Sequence, residues 1–250
     1  MELVAVFIIG TLIGSFLNVT IFRVHDDRSV VKGRSKCMKC EEAIDVKDLV
    51  PVLSYLNLRG HCRKCKSVIS WQYPVIEIVT GLLFVAAWMA SGMGLMFVRD
   101  AIFVSYLIII FVYDLRHMMI LDKFTVPAMI IAVLLNLWLG YIPAWSILAG
   151  GLVLAGFFYI QFAISKGGWV GGGDIRMGAL MGFMLGLEHG LVALFIAYLL
   201  GAVVSVGLML FGKAGRKTPI PFGTFLTVST VVVLFCGGGI VEWYLGLFGG

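Results

Sequence analysis

Asp114 closes an apolar run in Phe111-Val112-Tyr113-Asp114-Leu115-Arg116, and Asp174 follows glycines in Gly172-Gly173-Asp174-Ile175-Arg176. Ionised groups beside hydrocarbon cost free energy, so each asks for a reason. Two carboxylates brought together share one proton, because like charges at close range cannot both ionise easily. One can then take a proton from water while the other, as the acid, polarises a scissile carbonyl, which is the chemistry of an aspartic peptidase. The glycines before Asp174 let the backbone approach closely where a side chain would obstruct. The same residues also admit two unrelated boundary aspartates, paired with Arg116 and Arg176, or a proton-coupled transporter. Asp122 is either a third carboxylate or the cap of a helix beginning near Phe124.

A second constellation lies upstream. Cys37-Met38-Lys39-Cys40 and Cys62-Arg63-Lys64-Cys65 are two CxxC pairs separated by 21 residues. Each pair can set two thiolates on one metal, and the two together complete a tetrahedral tetrathiolate site, with zinc the expected ion. A short segment has too little apolar core to fold strongly alone, so a metal would organise it. Disulfides and free thiols are the competing readings, and iron fits the same spacing. Cys236 lies in a late apolar run and reads as a buried apolar residue. His61 adjoins Cys62 and reads as a solvated neighbour of a ligand. No Walker motif or dinucleotide fingerprint is present, and Gly171-Gly172-Gly173-Asp174 lacks the Lys-Ser/Thr ending of a phosphate loop.

The elements that must position these groups are membrane spans. Of the 250 residues, 60% are hydrophobic and only 13% charged, with mean hydropathy +1.02. Soluble domains carry about 25% charge, so a conventional soluble enzyme, a disordered chain and a coiled coil are excluded. A spanning helix needs roughly 17–25 apolar residues. Eight stretches qualify, at about 3–22, 73–90, 99–113, 124–139, 144–164, 175–187, 190–211 and 222–242. The sixth is short and rich in Gly and Met, which suits close helix packing. The first reads as a retained helix rather than a signal peptide, since Arg23 follows the apolar run and no positive segment precedes it.

Residues 23–72 hold eleven of the nineteen Lys and Arg: Arg23, Arg28, Lys32, Arg34, Lys36, Lys39, Lys47, Arg59, Arg63, Lys64 and Lys66. Arg116, Lys123, Lys166, Arg176, Lys213, Arg216 and Lys217 fall on the same side, leaving only Arg99 opposite. The positive-inside rule puts that side in the cytoplasm and both termini outside. The basic excess is therefore a topology signal, and no nucleic-acid partner is expected. Asp100, Glu188 and Glu242 read as boundary charges at outward ends. Glu77, one turn into the second span, reads either as snorkelling to the interface or as part of a site below the loop. The expected fold is an all-α polytopic membrane protein of about eight transmembrane helices. Its organisation is 1–22, a first helix; 23–72, a cytoplasmic four-cysteine domain; and 73–250, a membrane-embedded core.

Several motifs in order resemble the bacterial type IV prepilin peptidase family. They are Gly14-Ser15-Phe16-Leu17-Asn18-Val19, the paired cysteines, Pro51-Val52-Leu53-Ser54-Tyr55-Leu56, Arg59-Gly60-His61-Cys62 and Ile69-Ser70-Trp71-Gln72-Tyr73-Pro74-Val75-Ile76-Glu77. Asp114-Leu115-Arg116, Leu121-Asp122-Lys123-Phe124-Thr125-Val126-Pro127, Gly171-Gly172-Gly173-Asp174 and Pro219-Ile220-Pro221-Phe222-Gly223-Thr224-Phe225-Leu226 follow. Tyr55 stands where that family often has Trp, and Met38, Leu121 and Thr224 stand where Pro is frequent. None of these changes removes a candidate group.

The resemblance implies that Asp114 and Asp174 are catalytic aspartates in the inner membrane. It implies cleavage of prepilins or pseudopilins after a glycine ending a basic leader, in contact with membrane lipid. It also implies methylation of the new N-terminus from S-adenosylmethionine, with the four-cysteine loop, where structural zinc is expected from the spacing, associated with methylation and substrate handling. A peptidase lacking the methyl transfer is the alternative. Candidates to bind the cofactor or hold the amine are Glu77, Tyr55, Arg59 and Tyr73. No residue pattern sets an oligomeric state.

Overall fold

The computed structural model describes residues 1–26, 29, 33–212, 215, 218 and 220–246. Arg28, Lys32, Lys213, Arg216, Lys217 and Pro219, which figured in the sequence reading, lie outside the described residues. The described chain is helical: α1 Glu2–His25, α2 Leu53–Asn57, α3 Gln72–Ser91, α4 Leu95–His117, α5 Asp122–Leu139, α6 Ala144–Ser165, α7 Gly172–Leu210 and α8 Phe222–Gly246. Seven of these are long and apolar enough to cross a membrane, and the chain is a multi-pass membrane protein. It divides into two compact units, Met1–Ile109 and Ile110–Gly250, with the division inside α4.

In the first unit, α1 packs along α3 through small residues. A side-chain carbon at Gly10 would fall 2.7 Å from Gly81 Cα, and one at Gly14 would fall 2.8 Å from Glu77 Cα. Lipid offers no hydrophobic drive for helix association, so such close backbone contact and interhelical hydrogen bonds must supply it. Buried Asn18 adds one of these, donating from Nδ2 to Tyr73 O at 3.1 Å. At the far end of α3, Asp100 is only 1% exposed rather than a boundary charge. The Arg99 guanidinium donates to its Oδ1 at 2.7 and 2.9 Å, and the Ser91 hydroxyl donates to its Oδ2. Pairing removes much of the penalty of burying the two charges.

In the second unit, the expected sixth and seventh spans are the two arms of α7. The chain breaks at Gly186, whose φ of 76° and ψ of −177° are not helical. It there folds back on itself. A side-chain carbon at Gly190 would lie 3.6 Å from Gly182 Cα, whereas eight residues of continuous helix would separate them by about 12 Å. Helix α6 runs beside both arms. It is antiparallel to the first, with Gly150 against Gly182 and Phe158 against Gly178, and parallel to the second, with Leu154 against Gly190 and Gln161 against Tyr198. The first arm, 172–185, rises about 21 Å, less than the roughly 30 Å of hydrocarbon. A reversal at that depth must satisfy its own backbone. Buried Asn136 donates to Phe183 O at 2.8 Å and Met184 O at 3.1 Å, and Leu187 N donates to Ser146 Oγ at 3.0 Å.

Candidate active site and metal centre

The four cysteines converge. Their sulfurs all lie within 4.8 Å of one another, and none is in a disulfide. The two CxxC turns are built alike. Cys37 N donates to Glu42 O and Glu41 N to Cys37 O, while Cys62 N donates to Ser67 O and Lys66 N to Cys62 O. The residue after each pair has a positive φ, 56° at Glu41 and 57° at Lys66. Short antiparallel bridges, Lys36 with Ala43 and His61 with Val68, close each turn.

Cys37 Sγ and Cys65 Sγ are 3.8 Å apart. A tetrahedral tetrathiolate with zinc–sulfur bonds of about 2.3 Å has edges of about that length, so the donor set fits a metal ion of the zinc type. Burial works to raise the Cys37 thiol, but main-chain N–H groups of Cys40 and Lys39 and the Ser67 hydroxyl outweigh it and bring it down to about 6. Cys40 moves the other way, to about 11. The Glu42 N–H favours its thiolate, but burial and the bonds to Cys37 and Cys65 prevail. Arg63, between the cysteines of the second pair, donates to Asp48 at 2.8 and 2.7 Å and holds that carboxyl below its usual range. Lys64 pairs with Glu42, which belongs to the first turn. These pairs are exposed and each adds little alone, but they link the two halves of the loop.

The four residues expected near a cofactor also belong to the first unit. Tyr55 lies on α2 with its ring tilted against Trp71, centroids 5.5 Å apart. Arg59 is exposed, with φ 51°. Tyr73, at the start of α3, stacks on Phe22 at 5.1 Å. Glu77 does not snorkel. It is 6% exposed and accepts the Val52 N–H through Oε2 at 2.7 Å. Trp71 was not foreseen, since an aromatic beside a membrane span reads first as an interfacial anchor.

In the second unit the two aspartates come together. Asp114, in the last turn of α4, is 4% exposed, and its Oδ2 accepts the Thr224 N–H at 2.9 Å. Asp174, in the first turn of α7, accepts the Gly171 N–H through Oδ2 at 2.9 Å. That bond satisfies one of the unpaired donors at the helix start, where a carboxylate also suits the helix dipole. Ile120 lies between the surroundings of the two aspartates. A side-chain carbon at Gly173 would fall 2.9 Å from Ile120 Cβ, and one at Gly223 would fall 2.8 Å from both Ile120 Cδ1 and Asp114 Oδ2.

Asp174 does not turn to Arg176. That arginine pairs with Asp122 and donates to Gly172 O at 3.2 Å. Asp122 therefore is not a cap. It lies within the first turn of α5, after Leu121, and ties that turn to the start of α7. Two carboxylates held this way, each by a main-chain N–H on one oxygen, can divide acid and base roles on one water. The Thr224 amide has no signature in the sequence, because a backbone donor leaves no residue-type signal.

Residues 8–91 match the family described as Bacterial Peptidase A24 N-terminal domain, and residues 101–206 match the Type IV leader peptidase family. Relatives named prepilin leader peptidase/N-methyltransferase match along most of the chain. The protein of Bacillus subtilis (strain 168) is 34% identical over 245 residues, covering 96% of both chains. That of Aeromonas hydrophila is 31% identical over 271 residues, covering 97% of this chain and 93% of the relative. That of Myxococcus xanthus (strain DK1622) is 35% identical over 222 residues, covering 86% and 66%. No solved structure matches the chain.

Proposed function

Since the chain belongs to the type IV leader peptidase family, we propose that it cleaves the basic leader from prepilins or pseudopilins after a glycine and then N-methylates the new N-terminal residue. The observation that carries this reading is that Asp174 and the buried Asp114 stand on either side of Ile120, each anchored by one oxygen to a main-chain N–H. The two carboxyls hold one proton between them. The ionised member takes a proton from water as its oxygen attacks the glycine carbonyl carbon. The protonated member donates to the carbonyl oxygen; collapse of the resulting diol breaks the C–N bond as the amine takes the proton drawn from water and a diol hydroxyl returns its proton to the other carboxylate. The substrate is itself a membrane helix with a polar leader, so its cut site and both aspartates meet at one membrane face. That face is the cytoplasmic side of the inner membrane, with the cysteine loop on the same side and both termini outside.

S-adenosylmethionine, when bound, supplies the methyl group. The aromatic face of Tyr55 beside exposed Arg59 suits an adenine ring and a carboxylate, with Tyr73 and Glu77 supporting from α3. Positioning the neutral amine in line with the methyl carbon is the main task of Tyr55, Arg59 and Tyr73. The four-cysteine site, holding zinc, keeps the loop folded. The test is to incubate purified protein with a prepilin, with and without S-adenosylmethionine, and weigh the product. Loss of the leader plus one added methyl group is the expected result. An intact substrate sinks the proposal, and a cleaved but unmethylated product limits it to the peptidase.

A further inference from the structure

Val52 has φ 60° and ψ −52°, and Leu53 N donates to Pro51 O at 2.6 Å. An i to i+2 bond around a residue with those dihedrals is the γ-turn of positive φ, a rare and strained form. A β-branched residue at positive φ is a genuine outlier. Such strain persists only where the surroundings over-determine it. Here the restraint is visible. The Val52 N–H, which the turn leaves unused, donates to Glu77 Oε2 at 2.7 Å. Glu77 is in turn fixed from the other side, with Gly14 of α1 against its Cα. One buried carboxylate therefore ties the start of α2 to the α1–α3 pair.

What hangs from that tie is the rest of the loop. Val52 opens α2, where Leu56 N donates to Val52 O. Tyr55 O accepts Gly60 N, and the Tyr55 hydroxyl stands where a side chain at Gly60 would be, 2.9 Å from its first carbon. Gly60 O accepts Ile69 N, so the strand pair flanking Cys62 and Cys65 starts from the same residue. The line from Glu77 through Val52, Tyr55 and Gly60 to the second CxxC turn is continuous.

We propose that Glu77 is a positioning residue: it holds the Pro51-Val52-Leu53 turn and so seats Tyr55 and the adjoining cysteine turn for methyl transfer. Glu77 acts through Val52, not as a direct ligand of cofactor or amine. The activity part of this inference rests on the methyl-transfer reading above; the turn itself does not.

The experiment uses the full chain in nanodiscs, reading amide hydrogen exchange across residues 50–57 alongside the ratio of methylated to cleaved prepilin. In Glu77→Ala, exchange at Val52 and Leu53 rises and the methylation-to-cleavage ratio falls, each about tenfold, as expected for loss of a charge-assisted hydrogen bond. Glu77→Gln, whose amide oxygen still accepts the Val52 N–H, restores both to within about threefold. Val52→Gly relaxes the turn, because glycine reaches φ 60° without strain, and the double variant Val52→Gly/Glu77→Ala recovers part of the ratio lost in Glu77→Ala.

Unchanged exchange in Glu77→Ala overturns the proposal. So does a Glu77→Gln variant with normal exchange but a ratio as low as Glu77→Ala, which would make the charge itself a ligand. If Glu77→Ala fails to insert, the Gln and Gly variants still decide. If the wild-type protein proves unable to methylate, the functional reading falls, while exchange in the three variants still tests the clamp.

Discussion

In the cysteine loop, four functional groups come from two turns of nearly identical build, each closed by hydrogen bonds among neighbours in sequence. Around Asp114 and Asp174, the groups come from helices far apart in the chain, and the atoms that hold them are main-chain amides of Thr224 and Gly171. The first site is local and repeated, so a metal can organise it in a segment with little core. The second is non-local, so it exists only once helices α4, α7 and α8 are packed. A defect in one should therefore leave the other standing, and perturbing each alone tests that difference.

The largest effect is expected at the aspartates. Asn keeps the acceptor oxygen for Thr224 N or Gly171 N but cannot hold or release the proton. Asp114→Asn or Asp174→Asn should lower cleavage by about 10²–10⁴-fold, the range for general acid–base groups. Metal content and loop exchange should be unchanged. Wild-type cleavage in either variant, measured by leader release from a prepilin, would remove these residues from the mechanism. Loss of metal along with activity would break the comparison instead.

The converse perturbation is metal removal. Chelation, or Cys37→Ser, should empty the site and loosen the link between its two turns, lowering methyl transfer before cleavage. The metal-free thiols then report their environments. Cys37, lowered to about 6, is thiolate at neutral pH, whereas Cys40, raised to about 11, stays protonated. The sign follows: Cys37 reactivity is full above its pKa and lost as pH falls through about 6. Alkylation followed by peptide mass analysis should label Cys37 first and Cys40 last. Equal labelling would mean that the turn geometry collapses without metal.

These sites were unequally legible in the sequence. Two CxxC pairs reveal a four-cysteine cluster because ligand chemistry restricts both residue type and spacing. The aspartates stood out because charge is rare in this chain, but their pairing came from family resemblance, since sixty residues of intervening helix carry no local sign of contact. Of the two readings of Asp122, the cap fails: capping is a local rule, while the partner of Asp122, Arg176, comes from another helix. The break at Gly186 was anticipated within a few residues by the gap between two apolar runs. Its satisfaction by Asn136 and Ser146 was not, since neither residue neighbours it in sequence.

A smaller effect sharpens the claim that backbone packing builds the aspartate site. A methyl at Gly223 would fall 2.8 Å from Asp114 Oδ2 and from Ile120 Cδ1. Gly223→Ala should shift the carboxylate rather than remove it, costing cleavage about tenfold, in keeping with the sensitivity of rate to small misplacements. Leader-release kinetics should show the loss with the loop's metal retained. A variant as active as wild type would show that the α8 start yields freely.

The smallest expected effect lies at the α7 reversal. Asn136→Leu removes two interhelical hydrogen bonds, to Phe183 O and Met184 O, from a residue fully shielded from solvent. Such bonds in membranes are worth about 0.6 kcal/mol each, so the variant should lose about 1 kcal/mol of stability in thermal unfolding. Ser146→Ala, which frees only Leu187 N, should lose about half that. Asp174 opens the arm that Asn136 closes, so Asn136→Leu should also slow cleavage modestly, whereas the cysteine loop should not respond. A stability loss with unchanged cleavage would mean that the arm holds its Asp174 end through α6 and the Asp122–Arg176 pair alone. An altered loop exchange would mean that the two sites are mechanically coupled, contrary to the contrast between local and packed construction.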